Sequence, residues 1–454
     1  MTDSVLEQAV KTWARSAPLK TTEYHADRAA FGHFWHRAEE LLSRLPAKPK
    51  RAPHEAAAAA EILAAARESR ARFMRAHALE VYDHLTSNRA KFVRVDELCQ
   101  RAAREFPGLV PDARTLERES GIRQGDKDGL EVDHGIFVSQ VLADPDAGLH
   151  LCHAMLLPRE ESLARQEEFR RKGELALAGA HLKRVGKASI VTQRNPRYLN
   201  AEDEGTLPGL ETAVDLALLD PQTEVCVLRG DVVTHTKHAG KRVFGAGINL
   251  THLYQGKIRL LWYLVRDLGL VNKLYRGLAL PEVSPEEDSV EKLWIAAVES
   301  FAIGGHCQIL LAVDQVIAAK DAYMTLPARK EGIIPGAANL RLARHVGVRV
   351  ARQAILAERR LDCASPEGRQ ICDLIVEPGE AAMDAELERL VAHITGSGVV
   401  SAAGNRRALR IAEEPLDALR RYMAVYAREQ AHCHFSPALI ANLERHWDAA
   451  NRKA

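Results

Sequence analysis

Neither sign of charge is in excess in this 454-residue sequence: 62 lysines and arginines face 61 aspartates and glutamates, a formal net charge of +1. Such balance gives no bulk attraction to nucleic acid or to an anionic membrane, so any bound anion must be met by a local cluster. Long hydrophobic runs are also absent. Stretches such as ILLAV, 309–313, fall far short of a bilayer span. The first twenty residues have neither the basic start nor the apolar core of a secretory leader. Paired cysteines are missing too: the seven, at 99, 152, 226, 307, 363, 372 and 433, are odd in number and form no CxxC. That pattern speaks against a disulfide framework or a structural zinc site. The expectation is a reduced, cytoplasmic setting with no membrane or nucleic-acid partner. Apart from one alanine run there is no repeat or low-complexity tract.

The length allows two or three domains, each with its own core. Residues 1–183 read as a helical N-terminal domain. Its strongest element is EAAAAAEILAAARESRARFMRAHALEVYDHL, 55–85, made of good helix formers with no internal glycine or proline. The prolines of 45–55 separate it from an earlier helix, and a polar helix is expected around 158–177. Within 184–380 the grammar changes. KASIVTQ (187–193) and EVCVLRG (224–230) read as strands, with a helix from about Glu202 to Leu219 between them that Asp220-Pro221 ends. Strands alternating with helices indicate parallel βαβ units, hence an α/β core. Residues 381–454 read as helices again, expected to serve oligomer contacts and to cover the active site.

Two glycine-containing turns carry the chemistry. FGAGINL (244–250) and IGGHCQ (303–308) each lie where a strand should give way to a helix. Backbone N–H groups there are unpaired by the helix ladder. Two such donors aimed at one point would stabilise an enolate or a tetrahedral oxyanion. Either turn alone is weak, since glycine at such a junction commonly serves only the bend.

The pair, with its surroundings, resembles the crotonase (enoyl-CoA hydratase/isomerase) superfamily. NPRYLNAED (195–203), FGAGINL, IGGHCQILLAVD and LPARKEGIIPGAANLRL (326–342) match four of its segments in order. The resemblance implies a ββα spiral core. It assigns the oxyanion donors to Ile248 and Gly305, with Ala246, Gly247, Asn249, Leu250 and Gly304 lining the acyl-CoA site. Hydratases of the family carry two glutamates where this chain has Gln308 and Ala328. An amide has no proton to exchange and alanine has no polar group. Water addition needs an acid–base pair, so the hydratase reading is poor.

The closer likeness is to the superfamily's cofactor-independent dioxygenases. It rests on EGIIPGAANLRL, the Gln after GGHC, the GINL ending, the long N-terminal extension and AREQAHCHFSPALIANLE (427–444). It implies oxidation of 3,5-dihydroxyphenylacetyl-CoA, or a close arylacetyl-CoA, by O2 to the arylglyoxylate and free CoA, with no metal or other cofactor. The enolate would pass an electron to O2, and the resulting peroxide would expel CoA. An acid beside the enolate would only quench it, which explains the amide at 308. The resemblance further implies that Glu202, Gln308 and Arg266 lie near the aryl hydroxyls and reacting atoms. His235 would lie near the thioester, and the chain would assemble as a homo-trimer or hexamer in a route to an antibiotic. It names no general base.

Plainer readings stand beside these. Glu202 at a helix start is a favourable charge on its own, and His306 is equally site lining or packing. The H-x-x-H pairs at 150/153 and 235/238 and the HCH at 432–434 have no third ligand by sequence, so packing outweighs metal. DKDGLEVD (126–133) lacks calcium-loop spacing. Competing functions are an isomerase or thioester hydrolase with Glu331 or Glu299 as base, and a non-catalytic acyl-CoA-binding protein. A metal-dependent dioxygenase is the least favoured.

Overall fold

The computed structural model describes residues 3–452. The chain forms two compact units. One comprises 3–152, 254–261 and 420–440; the other comprises 153–253, 262–419 and 441–452. These limits differ from the three consecutive segments expected above, because residues far apart in the sequence complete each core.

The first unit is helical. Its longest helix, Pro53–Thr86, starts with Pro at the first position and with the Glu55 carboxylate accepting the Ala52 N–H at 2.9 Å. The alanine run supplies part of its buried face (Ala58, Ala59, Ala66), followed by Phe73, Met74, Val81 and Tyr82. Trp35 packs edge-on against Phe73, with ring centroids 5.3 Å apart, and donates its Nε1–H to Ser69 Oγ. Among the described residues no helix is long and apolar enough to cross a membrane. All seven cysteines are free, and six are buried.

The second unit is built on a seven-stranded sheet. In spatial order its strands are Glu174–Leu177, Ala180–Val185, Ala188–Gln193, Val225–Gly230, Leu293–Val298, Gln315–Ala319 and Leu374–Val376. The first three pair antiparallel, and from Ala188–Gln193 onward every pairing is parallel. Strand Val225–Gly230 is buried at every residue, which suits its continuous apolar run in a sheet covered on both faces. On one face Val225, Val227, Ile295, Ala297 and Ile317 pack against Met383, Leu387 and Leu390 of helix Glu380–Gly396. A second, three-stranded layer pairs Phe301–Ile303 in parallel with Tyr323–Thr325, which meets Leu361–Asp362 antiparallel.

Two sequence expectations need correction. The polar helix stops at Lys172, capped by Gly173 with φ +70°, and 174–177 continues as the edge strand. Alternation in ELAL and AHLKRV is short, so helix-forming neighbours masked it. The helix expected from Glu202 begins at Leu207. Glu202 instead forms a parallel bridge with Ile248: its N–H donates to Gly247 O and its carbonyl accepts Asn249 N–H, at 2.7 and 2.8 Å. It therefore does not sit at a helix start, and the dipole reading of its charge is set aside.

Helix Leu207–Leu219 packs on the strands Ala180–Val185 and Ala188–Gln193 and holds a fully buried ion cluster. Lys273 Nζ lies 2.8 Å from both Glu211 Oε1 and Asp215 Oδ1, and Asp215 Oδ2 accepts from Ser162 Oγ and the Arg159 N–H. Breaking such a cluster on one side leaves uncompensated charge in the interior, which costs about 3–5 kcal/mol. Lys273→Met should lower stability by that amount, read as a drop in the urea midpoint at unchanged slope.

Candidate active site

The two glycine turns meet. Gly247 (φ +76°) and Gly304 (φ +58°) occupy the left-handed region, and a Cβ on Gly247 would lie 3.3 Å from Gly305 N and 3.0 Å from Ile303 O. Strand Phe301–Ile303 brings one turn in, with Ile303 N–H bonded to Gly245 O at 3.0 Å, and Gly304 N–H donates to Thr325 O at 2.8 Å. Among the described residues no hydrogen bond uses the N–H of Ile248 or of Gly305. Both donors are thus free beside each other.

His306 fixes this arrangement. Its Nδ1 accepts the Gly247 N–H at 2.9 Å and its Nε2 pairs with Gln193 Oε1 at 2.9 Å, while Gln193 Nε2 donates to Phe244 O. That set of partners requires the neutral ring with its proton on Nε2. Burial holds the imidazole pKa down to about 4, against the opposing pull of the Glu202 carboxylate 4.0 Å away. His306 therefore positions the turn.

Behind Gly305 lies a buried polar network. The π-helical turn Arg266–Val271 brings two consecutive charged residues to one place. Arg266 donates through Nε to Glu202 Oε2 (2.9 Å), through Nη1 to Asp267 Oδ1 (3.0 Å) and Gln308 Oε1 (2.5 Å), and through Nη2 to Gly305 O (2.9 Å). Gln308 Nε2 donates in turn to Asp267 Oδ1 at 2.9 Å. Gln308 is thus both acceptor and donor, a role a carboxylate cannot fill. Glu202 Oε1 is buried and without a partner.

In front of the turns is a cavity of about 700 Å³. Ala246, Ile248, Asn249, Leu250 and Ile303 form its inner wall, with Thr325, Pro327 and Glu331 beside them. Arg197, His235, Lys237, His238 and Arg452 bring positive or titratable groups to it. Asp203 ties this wall together, accepting from Asn249 Nδ2 at 3.0 Å and Asn195 Nδ2 at 3.2 Å.

The residues singled out by sequence therefore fall into three sets. Ala246, Ile248, Asn249, Leu250 and His235 line the cavity; Glu202, Arg266 and Gln308 form the network behind it; and Gly247, Gly304 and Gly305 are the backbone between. Glu299, weighed as a base, is held by Arg229 and does not line the cavity. Sequence reading missed Asp267 and Gly336. The one signal for Asp267 was an Arg-Asp pair inside the apolar run LLWYLVRDLGLV, 260–271. The H-x-x-H histidines turn to different partners: His150 to Tyr82 Oη and His153 to Leu280 O, both at 2.8 Å. Among the described residues no group of three or more His, Cys, Asp or Glu is arranged to hold a metal ion.

Residues 187–391 match the enoyl-CoA hydratase/isomerase family. The chain is 45% identical over 406 residues to the (3,5-dihydroxyphenyl)acetyl-CoA 1,2-dioxygenase of Amycolatopsis orientalis, covering 89% of this chain and 92% of that protein. It is 29% identical to the short-chain-enoyl-CoA hydratase of Clostridium acetobutylicum over 201 residues, 44% of this chain and 69% of the other. Among solved structures, an enoyl-CoA hydratase from Mycobacterium avium subsp. paratuberculosis superposes with a TM-score of 0.49 at 21% identity, over 62% of this chain and all of that one.

Gly336 sets a limit on the network. It has φ +46°, and a methyl there would lie 2.3 Å from Gln308 Nε2 and 2.6 Å from Asp267 Oδ2. Gly336→Ala should cost about 1–3 kcal/mol by overpacking, with the loss seen in chemical denaturation.

Proposed function

The chain belongs to the enoyl-CoA hydratase/isomerase family, and from that premise we propose that it oxidises (3,5-dihydroxyphenyl)acetyl-CoA, or a close arylacetyl-CoA, with O2. The products are the arylglyoxylate and free CoA. The observation that carries this reading is Gln308, held as an amide on both sides by Arg266 and Asp267. The similarity to the Amycolatopsis dioxygenase along most of both chains supports it.

In this reading the thioester enters the cavity with its carbonyl oxygen toward the Ile248 and Gly305 N–H groups. Removal of a Cα proton leaves an enolate whose oxygen those donors hold, a preorganised stabilisation worth several kcal/mol. Electron transfer to O2 and recombination place a peroxide on Cα. Its attack on the thioester carbonyl expels CoA, and loss of the remaining Cα proton, with its electron pair forming the C=O as the O–O bond breaks, leaves a ketone at Cα and a carboxylate at the former thioester carbon. One thioester and one O2 thus give one arylglyoxylic acid and one thiol, with no other oxidant and no metal or organic cofactor. No acid at position 308 returns the first proton, so the enolate survives to meet O2.

The ring hydroxyls find their reader in Glu202. Its Oε1, buried without a donor, accepts a hydrogen bond from a ring hydroxyl, while Arg266 holds Oε2 in place. Discrimination against a ring lacking that hydroxyl follows, because the carboxylate oxygen would stay unpaired. Arg197, Lys237, His235 and Arg452 face the CoA portion. Family analogy adds a cytoplasmic homo-oligomer, a trimer or hexamer.

Chelator-treated protein should consume O2 and release CoA in equal amounts with (3,5-dihydroxyphenyl)acetyl-CoA in an oxygen-electrode assay with thiol detection. Thiol release without O2 uptake would mean a hydrolase. Gln308→Glu sets a second carboxylate against Asp267 and removes the donor between them. It should lower kcat roughly 10²-fold, the scale of a small misplacement at a reacting centre. Wild-type turnover in that variant would refute the role given to the amide.

A further inference from the structure

Enolate formation requires a base, and none of the residues assigned above supplies it. Glu202 Oε2 is taken by Arg266, Asp267 is engaged by Arg266 and Gln308, and Asp203 is held by Asn195, Asn249 and His252. His306 is locked neutral with its one free lone pair already accepting from Gly247. His235 and His238 sit on the partly exposed segment 234–241 beside Lys237, at the end of the cavity assigned to CoA.

We propose that Glu331 is the general base that takes the Cα proton of the bound thioester, an assignment that rests on the oxygenase reading above. Glu331 is only 5% exposed and is the one carboxylate among the described residues lining the cavity that holds Ile248 and Ala246. Only burial and the charge of Glu358 act on its carboxyl group, which has no hydrogen-bond or ion-pair partner among the described residues. A buried carboxyl with no partner is costly to keep ionised, so it favours its neutral, protonated form.

Its placement follows from the same backbone that builds the oxyanion turn. Strand Tyr323–Thr325 pairs in parallel with Phe301–Ile303, and Thr325 O accepts the Gly304 N–H. Three residues later the short helix Ala328–Glu331 begins, and it ends at Gly332, whose φ of +77° turns the chain away. Thr325, Pro327 and Glu331 line the same cavity as Ile248. The nearest acid, Glu358, is itself paired with Arg329 and Lys330 at 3.0 and 2.9 Å.

Electrostatics agree with the geometry. Burial, and secondarily the charge of Glu358, push the Glu331 pKa up to about 7. A base of that strength is half ionised at neutral pH and takes a proton more readily than an ordinary carboxylate. The Cα–H electron pair becomes the enolate, with its oxygen facing the Ile248 and Gly305 N–H groups. The proton passes to Glu331, which becomes the neutral acid its surroundings favour. When the thiolate of CoA departs, Glu331 gives that proton up to it and the base is restored.

The sign of the pH dependence follows. Because the pKa is raised, the carboxylate form is lost as pH falls below about 7, and kcat should decline about tenfold per unit there. The test is oxygen uptake against pH for wild type, Glu331→Gln and Glu331→Asp, together with washout of deuterium from Cα-deuterated substrate under argon. Expected are a fall in kcat of about 10²–10⁴-fold in Glu331→Gln, little change in KM, loss of the limb near pH 7 and loss of washout. Glu331→Asp should restore part of the rate with a displaced limb, which a variant that merely failed to fold would not do. Wild-type kcat and an intact limb in Glu331→Gln would overturn the assignment. Glu331-dependent washout without any O2 consumption by the wild type would instead sink the oxygenase reading and leave the base in place.

Discussion

The guanidinium of Arg266 is the interaction on which the site depends. One planar group binds Glu202, its own neighbour Asp267, Gln308 and the carbonyl of Gly305, and so ties together three stretches distant in sequence, around 202, 266–267 and 305–308. A buried cation is tolerable only where every donor has an acceptor and opposite charge lies close. Two carboxylates and two neutral oxygens meet that requirement here. The arrangement also explains why the turn at Gly305 is rigid: its carbonyl is pinned from behind, which leaves its N–H aimed forward. Rigidity of that kind is what lets a backbone donor stabilise charge without reorganising as the charge appears.

Much of this was legible in the sequence, and the limits are instructive. The turn motifs FGAGINL and IGGHCQ announced themselves because glycine, unlike other residues, occupies the conformations found at Gly247 and Gly304 without strain. The parallel strands were legible from apolar runs bounded by turn residues. What stayed hidden was whatever depends on contacts between distant segments. Asp267 reads as one polar residue in a helix until the π-helical turn sets it beside Gln308. The family likeness put Glu202 near the reacting atoms while the sequence pattern put it at a helix start, and the strand-like pairing of its backbone with Ile248 was not legible. The hairpin Glu174–Val185 was lost for a simpler reason: its strands are short and border a strongly helical stretch.

The site separates two tasks that most acid–base enzymes combine. Groups proposed to hold charge, the free N–H pair and the Arg266 network, are fixed by the fold and by hydrogen bonds. His306 is part of that fixed frame, kept neutral by burial at a pKa near 4. Proton traffic falls to a group on a different helix, away from the amide that replaces an acid at 308. Keeping them apart lets an enolate persist without a proton donor pressed against it.

The interleaving of the two compact units bears on how the chain is made. The first unit draws on three separate stretches, the last of them 420–440. During synthesis its first 152 residues leave the ribosome long before that stretch exists. Ala431, which packs against Gly135, arrives nearly 300 residues later, since 431 minus 135 is 296. Until then helix Val132–Ala143, buried over most of its length in the finished protein, is incompletely covered. Completion of that helix's cover therefore waits on a stretch nearly 300 residues further along the chain, a delay of the kind that leaves apolar surface transiently exposed during folding.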